Sequence, residues 1–93
     1  MSNARTVALA ALLQVEESEG YSNIVIDKTI RKSELNQKDA ALATAIFYGV
    51  LERRMTLDYY IGQFSKIHVR NLSIEVLNIL RIAAYQILYM EKI

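Results

Sequence analysis

The chain has no cysteine, no proline and no tryptophan, and it carries one histidine and three glycines in 93 residues. Without cysteine there is no disulfide framework, no thiolate nucleophile and no cysteine-ligated zinc. His68 alone makes neither a metal site nor half of a base–nucleophile pair. Gly20, Gly49 and Gly62 are scattered, so no glycine-rich turn is present to cradle a phosphate or a nucleotide-like cofactor. Asp27, Asp39 and Asp58 are separated carboxylates, read as solvated or capping groups. Eleven Lys and Arg against ten Asp and Glu leave a net charge of +1, so any nucleic-acid binding must come from local clusters of charge. Long apolar runs are missing too: Asn78, Arg81 and Gln86 punctuate the longest candidate, which falls short of the roughly 18 residues that span a bilayer. The run Val7 to Leu13 after Arg5 resembles a signal-peptide core, but Gln14, Glu16 and Glu17 follow without a small-residue cleavage site. A soluble, cytoplasmic chain with no membrane segment and no metal is the expectation.

What is present is apolar. A hydrophobic content of 53% argues against disorder, and in a chain this short it points to apolar surface meant for a partner or a neighbouring segment. One domain is expected, burying about 60–65% of its unfolded surface. There is no useful strand alternation, internal repeat or low-complexity tract, so the fold class is all-α.

The first helix is expected over residues 4–18, with Ser2 or Asn3 as N-cap, Leu9, Leu12 and Leu13 on one face, and Gly20 as its stop. A second begins at Ser22, with Tyr21 and Ile26 placed as a hydrophobic staple and Asp27 and Arg31 one turn apart. Asn36 caps a third, with Asp39 at the positive end of its dipole and Gly49 inside it to admit a neighbouring helix closely. Thr56 is the expected cap of a fourth helix carrying Leu57, Ile61 and Phe64, unless the third and fourth form one bent rod. Residues 65–72 read as a loop, and Ser73 caps a last helix that is apolar around most of its girth, as suits the middle of a bundle. Arg81 interrupts that helix. Either it is buried and paired, with Asp58 as the candidate partner, or it reaches water along the polar strip of Glu75, Asn78 and Gln86.

Two stretches carry a family pattern: Phe47-Tyr48-Gly49-Val50-Leu51-Glu52-Arg53 running on to Leu57-Asp58-Tyr59-Tyr60-Ile61, and Leu80-Arg81-Ile82-Ala83-Ala84-Tyr85-Gln86-Ile87-Leu88. With Tyr21 to Asp27 and Asp39 to Thr44 upstream, in order and at matching separations, they resemble the NusB-like domain that opens the RsmB/Sun family of 16S rRNA cytosine-5 methyltransferases. The resemblance implies an antiparallel helical bundle of about five helices lacking the final helices of the domain, so that residues 1–93 are a partial NusB-like domain without the catalytic methyltransferase domain. It implies an accessory RNA-binding role, docking an rRNA methyltransferase on 16S rRNA, with no catalysis in this chain. The parent enzyme would use S-adenosylmethionine; this chain would bind no cofactor, since it has no glycine-rich turn after a strand to hold one, and would run no reaction, since that family's catalytic domain attacks and releases the base with cysteines. Two other readings stay open: a NusB-type antitermination factor that binds RNA and a ribosomal protein, and a purely protein-interacting helical module. NusB has a more arginine-rich N-terminus, whereas residues 1–6 hold only Arg5, and Tyr21-Ser22-Asn23 favours the methyltransferase branch.

The candidate RNA contacts are Arg5, Arg53, Arg54, Lys66 and Arg70. Adjacent arginines can grip a phosphate, but Arg53-Arg54, like Arg31-Lys32, also suit a helix C-terminus. Phe47, Phe64 and Tyr85 are expected in the core; Tyr48, Tyr59 and Tyr89 are the rings placed to reach solvent, where an aromatic can stack on an unpaired base, with packing the commoner role even for these three. The apolar last helix predicts a homodimer or higher self-association through Ile79, Ile82, Ala83, Ile87 and Met90.

Overall fold

The computed structural model describes residues 3–18 and 21–90. Five α-helices follow one another: α1 (Ala4–Ser18), α2 (Ser22–Ser33), α3 (Gln37–Glu52), α4 (Arg54–Phe64) and α5 (Ile74–Tyr85). A 3-10 turn at Val69–Asn71 precedes α5, and a π-helical turn at Gln86–Met90 continues it. Among the described residues there is no strand, and the fold is all-α.

Three helices start where a short polar side chain takes an orphan amide. Asn3 Oδ1 accepts from the Thr6 amide at 2.9 Å while the Asn3 amide donates to Thr6 Oγ1 at 3.0 Å. Asn36 Oδ1 accepts from the Asp39 amide at 2.8 Å, and Ser73 Oγ accepts from the Val76 amide at 3.1 Å. The expected stop at Gly20 lies outside the described residues.

Two local expectations are corrected. Tyr21 is the N-cap of α2 without a side-chain cap bond, and its ring is 78% exposed, so it makes no staple with the buried Ile26. Thr56 does not cap α4: the helix already begins at Arg54, after a break at Arg53 (φ −121°, ψ 22°). Hydrogen bonding nonetheless runs through the break, the Arg53 amide donating to the Val50 carbonyl at 3.2 Å and the Leu57 amide to the Arg53 carbonyl at 2.8 Å. A backbone that bonds across its own kink needs no side-chain cap. At the other end of α2, Glu34 takes the left-handed conformation (φ 60°, ψ 28°) that Gly usually supplies.

The core gathers Leu12 from α1, Val25 and Ile26 from α2, Ile46, Phe47 and Val50 from α3, Leu57 from α4 and Ile82 from α5. Ala4, Ala8 and Ala11 form a buried, small-residue face on α1, which packs on α2, α3 and α5. α5 packs on α1, α3 and α4, yet it does not lie in the middle of the bundle. Its outer flank is open, with Val76, Ile79, Ile87 and Leu88 between 43% and 66% exposed. Phe64 is not core either: at 85% exposed it stands clear at the end of α4, beside that open flank. Both corrections have one cause, because apolar periodicity marks a face to be covered without saying that the chain itself covers it.

Gly49 settles how α3 meets the last helix. A Cβ there would fall 2.0 Å from Cζ of Tyr85, so the phenol ring occupies the space that any other residue would fill. Gly49→Ala trades a gain of about 1 kcal/mol in helix propensity against overpacking of about 1–3 kcal/mol. We expect net destabilisation in the parent and stabilisation once Tyr85 is already Ala. Urea melts of the four proteins in that cycle check the change of sign.

Candidate nucleic-acid interface

The five candidate cations divide by what holds them. Arg54 and Arg53 are adjacent in sequence but lead to different partners. Arg54 Nη1 donates to Glu16 Oε1 on α1 at 2.9 Å. Arg53, at the α3–α4 junction, lies over two rings of the last helix, its Cζ 4.6 Å from the Tyr89 centroid and 5.7 Å from that of Tyr85, with Glu52 Oε1 at 3.4 Å. The two guanidiniums therefore do not form a single phosphate fork.

Arg5, Lys66 and Arg70 have no carboxylate partner among the described residues. Arg5 Nε donates to the neutral side-chain oxygen of Gln86 at 3.0 Å, which places its charge beside the terminal π turn. Lys66 and Arg70 are exposed on the segment between α4 and α5, where Ser65 Oγ bonds the Ile67 backbone on both sides (2.6 and 3.1 Å) and shapes the turn. His68 is exposed between them. Arg31 is paired with Asp27 one turn away on the surface of α2.

Arg81 plays a different part. It is 6% exposed and grips Asp58 with two bonds, Nε to Oδ1 at 2.7 Å and Nη2 to Oδ2 at 2.8 Å. Its remaining nitrogen, Nη1, donates to Asn78 Oδ1 at 3.3 Å and approaches Glu16 Oε1 at 3.9 Å. Asn78, 1% exposed, closes the network by donating Nδ2 to the Ile74 carbonyl at 3.0 Å. Among the described residues no buried side-chain nitrogen or oxygen lacks a partner. Glu16 thus lies between Arg54 and Arg81 and links α1 to both α4 and α5. Sequence spacing gave no sign of Glu16, since it is 38 residues from one partner and polar on a helix surface.

Tyr48 packs edge-on against the buried Phe47 (5.2 Å, 75°), so it belongs with the core and not with a binding surface. Tyr59 and Tyr60 form a similar pair on the exposed side of α4 (5.8 Å, 75°). Among the described residues no group of three or more His, Asp or Glu could hold a metal, and no helix is long and apolar enough to cross a membrane.

Residues 2–93 match the model of the NusB family. The chain belongs to that family. Over 92 residues it is 33% identical to a probable ribosomal RNA small subunit methyltransferase B of Bacillus subtilis, an alignment that covers 99% of this chain and 20% of that protein. A second protein of the same description, from Synechocystis, is 27% identical over 93 residues and is matched over 21% of its length. The transcription antitermination protein NusB of Syntrophomonas wolfei is 28% identical over 89 residues, covering 95% of this chain and 66% of that protein. The chain thus spans about a fifth of the length of the curated methyltransferases it matches. No solved structure matches it.

Within this NusB-family fold the Asp58–Arg81 pair is costly to break, because the Arg81 side chain, 8% exposed, would be left with an unmet charge, while that of Asp58, 29% exposed, would lose both of its charge-assisted bonds. Arg81→Ala should destabilise the fold by about 3–5 kcal/mol. In a double-mutant cycle with Asp58→Ala, chemical denaturation should give a coupling above about 1 kcal/mol; additive losses would leave only packing at Arg81.

Proposed function

We propose that the chain is a NusB-type RNA-binding module that helps an rRNA cytosine-5 methyltransferase dock on 16S rRNA. The observation that carries this reading is the match of nearly the whole chain to about a fifth of ribosomal RNA small subunit methyltransferases, the share expected of an accessory domain. The structure supports it through three cations, Arg5, Lys66 and Arg70, left without a carboxylate partner among the described residues. Such groups release condensed counterions when they meet phosphate, which gives affinity without reading sequence. The antitermination reading rests on the NusB relative from Syntrophomonas wolfei and would use the same contacts on a different RNA.

The residues present do not fit S-adenosylmethionine. No strand-turn-helix glycine cradle exists among the described residues, the space at Gly49 is taken by Tyr85, and the chain has no cysteine for attack on a cytosine. The chemistry belongs to a catalytic domain in the parent enzyme. Calorimetric titration of this chain with S-adenosylmethionine should give no binding heat, and saturable micromolar binding would overturn the accessory-domain reading.

We also propose that the chain self-associates. Between α4 and the last helix runs an apolar groove of about 430 Å³, lined by Tyr60, Phe64, Ala83, Ala84, Ile87 and Leu88 among others. Phe64 and Ile87 project beside a floor of two alanines, so one face offers both knob and hole, as a two-fold interface requires. Sedimentation should show a dimer at high micromolar concentration that Phe64→Glu dissociates; a monomeric parent would show that the groove stays open to water.

RNA binding is tested by anisotropy titration of a 16S rRNA fragment at several salt concentrations. Affinity should be modest and should fall steeply with salt. Replacing Arg5, Lys66 and Arg70 together with Ala should flatten the log–log slope by about 2–3, roughly one unit per phosphate contact. Arg54→Ala, which removes a guanidinium already held by Glu16, should leave the slope unchanged.

A further inference from the structure

Arg53, Tyr85 and Tyr89 are built into one surface by residues that repeat at helical spacing. Gly49 and Arg53 lie one turn apart on α3 and its junction, and Tyr85 and Tyr89 lie one turn apart at the end of the last helix. The missing Cβ at Gly49 lets the Tyr85 ring settle against α3. Tyr89 then stacks on Tyr85, with centroids 5.5 Å apart and planes inclined by 26°. Arg53 closes the arrangement, 4.6 Å above the Tyr89 centroid.

We infer that this ledge is a stacking site for an unpaired RNA base, an inference that rests on the RNA-binding reading above. Two observations carry it. Tyr89 is 42% exposed and the Arg53 side chain 38% exposed, so each keeps open surface after its internal contacts are made. Glu52 Oε1, 3.4 Å from Arg53 Nη1, offsets the charge of Arg53. A phosphate would meet that carboxylate, whereas the flat face of a base meets only the rings and the guanidinium plane.

The ledge takes single-stranded RNA, because the faces of paired bases are covered by their neighbours in a duplex. It also divides the labour among the cations. Arg5, Lys66 and Arg70 supply the salt-dependent grip, and Arg53 with Tyr89 supplies a contact that releases no counterion.

That division gives the test. A single-stranded RNA carrying 2-aminopurine is titrated with the full chain, following anisotropy and base fluorescence at several salt concentrations, beside a duplex of the same sequence. Tyr89→Leu should weaken single-strand binding about tenfold with the salt slope unchanged, and should abolish the fluorescence quenching that stacking produces. Tyr89→Phe should retain both affinity and quenching. Duplex binding should be the same in parent and variants. If the parent binds no RNA, the RNA-binding reading and the ledge both fall. If the parent binds and Tyr89→Leu matches it in affinity and quenching, the ledge alone falls. A loss in Tyr89→Leu accompanied by a flatter salt slope would make Tyr89 a support for a phosphate contact and would also overturn the stacking site. Should Tyr89→Leu melt early, the parent's own quenching decides: its absence on a bound oligonucleotide overturns the inference without any variant.

Discussion

A guanidinium buried to 6% exposure between two helices is tolerable only if its charge and its donors are met where it lies. Asp58 meets Arg81 with both carboxylate oxygens, and Asn78 with its amide oxygen. These contacts fix more than one pair of residues. The bidentate geometry sets the azimuth of α4 against α5, since a carboxylate rotated away by even part of a turn would lose one of its two bonds. Leu57 and Ile61, which share α4 with Asp58, are thereby turned into the core, and Tyr60 and Phe64 are turned outward. Glu16 carries the same constraint to α1 by lying near Arg81 and bonding Arg54 across the α3–α4 junction. The break at Arg53 is what makes this possible. Arg54 and Asp58 lie one turn apart on α4, past the break; a continuous rod would carry both straight on from α3, whereas the kink redirects the helix that presents them to Glu16 on α1 and Arg81 on α5.

The all-α class and the helix starts at Asn3, Asn36 and Ser73 were legible because each depends on a few neighbouring residues: a 3.6-residue apolar period and an oxygen placed to take one amide. The break between α3 and α4 was only half legible. Sequence offered either a cap at Thr56 or a bent rod, and the backbone took a third course, kinking at Arg53 while keeping its hydrogen bonds. No proline or glycine marks the place. The left-handed turn at Glu34 was equally invisible, since nothing in a glutamate predicts that conformation and only the demand to redirect the chain into α3 imposes it.

The candidate interface was legible as a list of cations and not as an arrangement. Whether two neighbouring arginines act together depends on where their side chains lead, and that is decided by groups far along the chain: Glu16 for Arg54, and Tyr85 with Tyr89 for Arg53. The same limit applies to aromatic residues. Phe64 and Phe47 sit in similar apolar patterns, yet one is exposed and the other fully buried, because burial depends on whether another helix lies opposite. Gly49 is the informative exception. A glycine inside an otherwise apolar helix signals a close neighbour, and the ring of Tyr85 is that neighbour.

The last helix joins these points, because its sides have different work. Toward α3 it presents Tyr85 and Tyr89 to Gly49 and Arg53; toward α1 it presents Gln86 to Arg5; toward α4 it presents Ala83, Ala84, Ile87 and Leu88 to an apolar groove. Neither of these tyrosines lines the groove: Tyr85 lies against Gly49 and Tyr89 under Arg53, on the side of the helix that faces α3. An apolar occupant of the groove, whether a second copy or a neighbouring segment, can therefore cover Ile87 and Leu88 while Tyr89 and Arg53 stay in reach of an unpaired base. Had the tyrosines shared the groove, every association that buried apolar surface would have competed with RNA. Their separation would let hydrophobic burial in the groove and a base contact at the tyrosines act on one small domain without opposing each other, whereas Arg5 shares a pocket with Ala83 and Ile87 and so borders whatever fills the groove.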